Sequence, residues 1–209
     1  MCGTLLSVNV GRARTLTRRG RAVPTGIWKG PLEGRVAVRA TNVDGDEQGD
    51  RADHGGPDQA VYAYAREDYE WWEGELDRDL APGTFGENLT LRGIDVSGAR
   101  TGERWTIGTT VLEVSATRTP CWKLGVRMKD PGFVKRFGAA ERPGAYLRVV
   151  REGELAAGDG VAVVSRPRHN VDMALMSRVF LHDRSRAGEL LEADALPRRW
   201  RSWAERQSA

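Results

Sequence analysis

Over roughly the first 165 residues, runs rich in Val, Leu, Tyr and Thr are short, and glycine cuts between them. Thr4–Val10, Arg35–Arg39, Ala60–Ala65, Asn88–Leu91, Val111–Ala116, Ala145–Val150 and Val161–Ser165 have the composition of strands. A parallel α/β sheet needs a crossover helix between successive strands, and that regular alternation is missing. Gly102-Glu103-Arg104-Trp105 and Gly158-Asp159-Gly160-Val161 share one pattern: glycine, an acid, any residue, then the apolar residue that opens a strand. Corners of this kind recur in compact barrels. The expected fold is mainly β, or α+β: a barrel-like sheet with a few peripheral helices. Arg66–Leu76 sets Tyr69, Trp72 and Leu76 at helical spacing behind early acids, and Pro131–Phe137 is a shorter helix with proline in its first turn.

The pattern changes after Pro167. Val171, Leu175 and Val179 recur every four residues, Arg184–Leu191 continues as helix, and Leu196–Gln207 sets Trp200 three residues before Trp203. This tail reads as a small all-α appendage of three short helices. The expected division is a β-barrel domain over 1–167 and a helical extension over 168–209, separable from it. Tail arginines are nearly matched by acids, which describes a solvated helical face rather than a nucleic-acid arm.

A net charge of +3 on 209 residues gives only weak attraction to nucleic acid or an anionic membrane, so neither is an expected partner. No opening segment has the form of a signal peptide, and no apolar run approaches membrane-spanning length, so a cytoplasmic location is expected. Arginine outnumbers lysine 28 to 4, the usage of a G+C-rich bacterium; Lys29 and Lys123 are therefore notable as lysines. Two cysteines hold neither a disulfide framework nor an iron–sulfur cluster, and three scattered histidines make no zinc site.

Cys2 is terminal, which leaves Cys121 in Thr117-Arg118-Thr119-Pro120-Cys121-Trp122-Lys123-Leu124. Arg118 and Lys123 favour its thiolate, which can act as nucleophile, sulfur carrier or ligand of a soft metal. A lone cysteine is equally at home as a small buried apolar residue. A second stretch runs from Gly45 to Asp58 and is dense in acids and glycine. Gly55-Gly56 leaves amides able to face an anion, and His54 beside them is a proton or hydrogen-bond donor; as bare turn chemistry, Gly-Gly-Pro-Asp also suffices. In the third, Pro82–Thr90, Glu87 and Asn88 offer acceptor and donor to a heterocycle edge. No dinucleotide fingerprint, Walker motif or nucleophile elbow occurs.

Taken in order, Asp44-Gly45-Asp46-Glu47-Gln48…His54-Gly55-Gly56-Pro57-Asp58, then Phe85-Gly86-Glu87-Asn88-Leu89, then Arg118-Thr119-Pro120-Cys121-Trp122-Lys123-Leu124 resemble the MOSC domain, the molybdenum-cofactor sulfurase C-terminal superfamily, in its stand-alone bacterial branch. The resemblance spans 1–167, and the tail is similar to the three-helix extension of some members. It implies a β-barrel binding the molybdenum cofactor (molybdopterin), with Cys121 as thiolate ligand to the metal. Related proteins reduce N-hydroxylated compounds, hydroxylamino bases among them. The eukaryotic amidoxime-reducing relatives follow their cysteine with a Thr-Thr-Val-Asp type stretch, where this chain has Trp122-Lys123-Leu124.

The expected activity is therefore a molybdenum-dependent reductase of N-hydroxylated small molecules. Cys121 and His54 are its catalytic residues. Arg118, Thr119, Lys123, Asn88, Glu87, Gly55 and Gly56 are its cofactor contacts, with Lys29 and Arg51 as further phosphate candidates. With no flavin, nicotinamide or iron–sulfur site in the chain, electrons come from an external flavin or iron–sulfur protein. A homodimer is open at this stage. The alternative is a carrier of molybdenum cofactor or of persulfide sulfur, without turnover of its own.

Overall fold

The computed structural model describes residues 2–49 and 55–208. Its strands are β1 (Cys2–Val10), β2 (Arg14–Arg18), β3 (Arg21–Thr25), β4 (Gly30–Pro31), β5 (Val36–Arg39), β6 (Asn42–Val43), β7 (Val61–Ala65), β8 (Leu89–Arg92), β9 (Arg104–Ile107), β10 (Thr110–Thr117), β11 (Ala145–Arg151), β12 (Gly153–Leu155) and β13 (Gly160–Ser165). The helices are α1 (Arg66–Leu76), α2 (Trp122–Met128), α3 (Phe133–Ala139), α4 (Met173–Leu181) and α5 (Arg198–Ser208), with 3-10 turns at Pro57–Gln59 and Arg184–Glu192.

The strand order β13-β9-β10-β11-β7-β8-β1 closes on itself through an antiparallel β13–β1 pairing, giving a seven-stranded barrel, and β4 extends the free end of β1. Neighbours run antiparallel except β7 and β8, which are parallel and joined across α1. Closure removes the sheet edges that an open meander would leave exposed. Register shifts in β1 after Leu5 and in β10 after Val114 bend those strands around the barrel.

Two cores form. One fills the barrel with Leu5, Val8, Leu89, Leu91, Trp105, Ile107, Leu112, Val114 and Leu147. Trp105 is fully buried there because its indole N–H donates to Glu103 at 2.8 Å, and Arg166 closes the other Glu103 oxygen at 2.6 Å. The second core is aromatic and lies outside the barrel wall. Tyr64, Tyr69, Trp72, Phe85, Phe133 and Phe137 stack under α1 and α3, and Leu124 and Met128 of α2 join them.

Helix α1 falls where the spacing of Tyr69 and Trp72 places it. The next expected helix starts two residues later, at Phe133, with Pro131 ahead of its first turn. Residues 184–192 are a 3-10 helix rather than a continued α-helix, with Gly188 at the centre. The tail does not stand apart from the barrel. Val171, Met173, Met176, Val179, Ala187, Leu190 and Leu196 belong to the barrel's own cluster. Backbone bonds join Thr101 to Val171 at 2.9 Å and Ala174 to Ser97 at 2.9 Å, and Arg148 reaches the Ala195 carbonyl at 2.9 Å. Asp172 caps α4 by accepting from Leu175 N. A boundary at 167 therefore passes through a shared core.

Candidate functional site

Cys121 is placed by what surrounds it. β10 ends at Thr117, Pro120 stops the strand, and Cys121 takes extended dihedrals as the residue before α2. The α2 helix is short, but Leu124 and Met128 anchor it in the aromatic core. Gly125 permits α2 to lie against the loop that leads to α3, because a Cβ there would meet the Asp130 carbonyl at 3.1 Å. The half-buried Cys121 consequently faces a cavity lined by Lys29, Asp46, Gln59, Tyr62, Phe85, Asn88, Arg118, Thr119, Lys123 and Tyr146, among others.

Arg118 is buried between rings: its guanidinium carbon lies 5.2 Å from the ring centres of both Tyr62 and Phe137, and one amino group donates to the Phe85 carbonyl at 2.7 Å. Burial pulls its pKa down, but the Tyr62 and Tyr146 phenols and the Cys121 thiol outweigh that and shift it upward. Arg118 thus carries a fixed positive charge electrostatically coupled to Cys121. Tyr62 and Tyr146 are register partners on β7 and β11, with ring centres 5.1 Å apart. The Tyr62 hydroxyl donates to the Pro143 carbonyl at 2.7 Å. Burial raises the pKa of both phenols, which keeps them protonated.

Below them lies a closed polar cluster. Asp46 accepts a short ion-paired bond from Lys29, a bond from the Asn88 amide at 3.0 Å, and one from Gly11 N–H at 3.0 Å. Burial lowers the Lys29 pKa against the pull of Asp46. Asn88 also donates to the Asn9 carbonyl at 3.2 Å and accepts from Tyr62 N–H at 3.1 Å. Asn88 thus lines the cavity with most of its bonding capacity already used, and Lys29 with its charge paired to Asp46; they shape the floor.

Glu87 stands behind the wall rather than on it. One oxygen accepts from Tyr69 at 2.5 Å, Gly83 N–H at 2.7 Å and Thr90 at 2.9 Å, while the other has no partner among the described residues. Burial raises its pKa. Gly86, at φ +78°, turns the chain here, and a Cβ on it would strike the Ile27 side chain at 2.8 Å. The turn sends Asn88 to the cavity and Glu87 into the core. Because the raised carboxyl binds its proton more tightly folded than unfolded, native stability falls as pH rises from the unfolded pKa through the folded one. Glu87→Gln keeps the three acceptor contacts without the buried charge. Its stability relative to wild type should rise over that window, while Glu87→Ala strands three donors and costs about 3 kcal/mol. Urea melts at pH 5 and pH 8 check this, and a Gln variant as damaged as Ala at both would refute it.

Gly55 donates to the Gln59 side chain at 3.0 Å, and Gly56 opens the 3-10 turn that sets Gln59 at the cavity. The glycine pair is next to the lining rather than part of it. His54 and Arg51 lie outside the described residues. Tyr62, Tyr146 and Gln59 were not singled out from the sequence. Tyr62 and Tyr146 are on strands whose pairing has to be known first, and Gln59 sits in the 3-10 turn before β7, which carries no signal of its own.

A closed mainly-β barrel with a cysteine in the lining of a cation- and aromatic-lined cavity defines the class. The MOSC domain model matches residues 50–162. Over 202 residues the chain is 33% identical to YflK of Bacillus subtilis (strain 168), covering 95% of this chain and 91% of that one. It is also 33% identical over 199 residues to a protein named Reductase from Gibberella moniliformis (strain M3125 / FGSC 7600), covering 93% of this chain but only 35% of that longer one. The crystal structure of YiiM from Geobacillus stearothermophilus superposes with a TM-score of 0.82 at 29% identity, covering 99% of this chain and all of that one. The chain belongs to the MOSC domain family.

Proposed function

We propose that the protein is a molybdenum-cofactor reductase of N-hydroxylated small molecules, supplied with electrons by a separate donor. The observation that carries the reading is Cys121 in the lining of a cavity beside buried Arg118 and Lys123. Among the described residues no cluster of three or more His, Cys, Asp or Glu could hold a bare metal ion. A single protein thiolate suits a metal that arrives with most of its ligands already in place.

The residues present suit that group. Cys121 is a soft sulfur donor. Arg118 retains guanidinium N–H groups beyond the one bonded to Phe85 and, with Lys123, complements phosphate and other anionic oxygens. Tyr146, partly buried in the lining, offers aromatic surface to a flat heterocycle, while Tyr62 and Phe85 back the wall behind it. Bound there, the cofactor supplies two-electron redox chemistry. The net change is R–NHOH + 2e⁻ + 2H⁺ → R–NH₂ + H₂O: the N–O bond breaks, one proton ends on nitrogen and one in the water. Tyr146, held protonated by burial, orients the departing oxygen by hydrogen bonding, and His54 is the proposed proton donor. The name of the Gibberella protein supports a reduction, and its extra length supports a unit that works with additional machinery.

The test is elemental analysis after expression in a cofactor-competent host, followed by assay with reduced viologen and a hydroxylamino purine. Near-stoichiometric molybdenum and viologen-dependent amine formation are expected, with no turnover from NADH alone. Molybdenum-loaded protein that reduces nothing would overturn the enzyme and favour the carrier.

A further inference from the structure

The chain's small net charge conceals a strong local one. Residues 12–25 hold Arg12, Arg14, Arg18, Arg19 and Arg21 and no acid, a charge of +5; the whole chain is +3, so all remaining residues together sum to −2. This segment is mostly the β2–β3 hairpin, whose five register pairs join its own two strands into a sheet with no third strand among the described residues. Arg19 and Gly20 form the turn, both at positive φ. All five arginines are exposed.

An isolated two-stranded ribbon is marginal by itself, and Arg18 opposite Arg21 adds like-charge repulsion. The hairpin is steadied instead at its base. Arg14 lies 5.7 Å from the Trp28 ring centre and Arg18 lies 4.8 Å from that of Trp122, the residue after Cys121. Thr25 and Gly26, which end the hairpin, line the Cys121 cavity. An adjoining hollow carries the positive strip through Arg14 to Arg127 of α2; Arg12 and Lys29 also line it, but Glu47 (3.4 Å) and Asp46 pair with them, and the Arg127 Nε is buried with no partner among the described residues.

We infer that the β2–β3 hairpin is the docking surface for an acidic electron-donor protein of the flavin or iron–sulfur type. The inference rests on the reductase reading, because electrons must enter beside the cavity and the hairpin forms that cavity's rim. The ribbon matches a negative partner in charge, and such a partner would offset its self-repulsion. Nucleic acid is a poorer fit, since the flanking Trp28 and Trp122 rings are already covered by arginine rather than open to bases.

The experiment uses the full chain and Arg19→Glu/Arg21→Glu, two turn-end substitutions away from the cavity. Binding of an oxidised acidic flavodoxin is titrated at low and high salt, without turnover, and viologen-driven activity is measured in parallel. The variant should bind flavodoxin about tenfold more weakly at low salt, the gap should narrow at high salt, and the viologen rate should not change. Equal flavodoxin affinity in both proteins would overturn the docking surface, as would tighter wild-type binding to a duplex oligonucleotide than to flavodoxin. Loss of viologen activity in the wild type alongside hairpin-dependent flavodoxin binding would defeat the reductase reading and leave the surface assignment standing.

Discussion

Cys121→Ser is expected to reduce bound molybdenum and N–OH reduction at least about a hundredfold, while leaving the melting transition within a few degrees of wild type. Serine keeps the size of the side chain and replaces a soft, ionisable sulfur with a hard hydroxyl. The fold has little stake in that sulfur. Cys121 is half-buried at the start of α2, and the helix is held by Leu124 and Met128 in the aromatic core. Arg118 would keep its place through Phe85, Tyr62 and Phe137 but lose the thiol that helps hold its charge. Metal analysis, viologen assay and thermal denaturation on the same preparation check the three parts. Unchanged molybdenum and turnover would remove Cys121 from the metal. A collapse of the melt together with the activity would make Cys121 a packing residue.

Legibility of the site differs residue by residue, for physical reasons. Cys121, Arg118 and Lys123 were visible because their chemistry lies in one short segment, and local folding brings it to one cavity. Asn88 was visible as a polar residue at a glycine bend, but its bonds to Asp46, Asn9 and Tyr62 depend on three other segments. Glu87 shows the limit. Glu87 and Asn88 lie in the bend that precedes β8, so strand alternation does not assign them, and the Gly86 turn decides which one reaches the cavity. Tyr62 and Tyr146 meet because β7 pairs with β11 across 84 positions of sequence, a pairing that composition does not encode. Six of the seven barrel strands could be read from their β-branched and aromatic runs; β9 showed only as the glycine corner before Trp105, and the Arg35–Arg39 run forms β5 in a separate three-stranded sheet. The β2–β3 hairpin could not be read, because arginine and threonine mask its alternation. Helix α2 was missed because Gly125 and Val126 interrupt a seven-residue segment that packing, rather than propensity, makes helical.

Ending the chain at Pro167 is expected to abolish soluble, cooperatively folded protein, although the tail's own helical periodicity suggests a detachable unit. Burying a Val, Leu or Met side chain is worth about 1.5–3 kcal/mol. Val171, Met173, Met176, Val179, Leu190 and Leu196 are all buried against the barrel, so their combined contribution is comparable to the roughly 5–15 kcal/mol net stability of a domain. The cut also strips partners from the barrel itself. Thr101 N–H loses the Val171 carbonyl, Ser97 and Ala99 carbonyls lose N–H donors from α4, and Arg148 loses the Ala195 carbonyl. Arg148 also holds Glu113 at 2.8 Å, so disorder there reaches β10, the strand that leads to Cys121. A milder variant separates folding from expression: Leu190→Ala should cost about 2–5 kcal/mol and retain the cavity. Soluble yield, near-UV circular dichroism and urea melts of both variants decide the matter. A truncated chain with a sharp, wild-type melt would show that the barrel closes its core without the tail. A fluid, dye-binding product would show that the helical tail is a required part of the barrel's core.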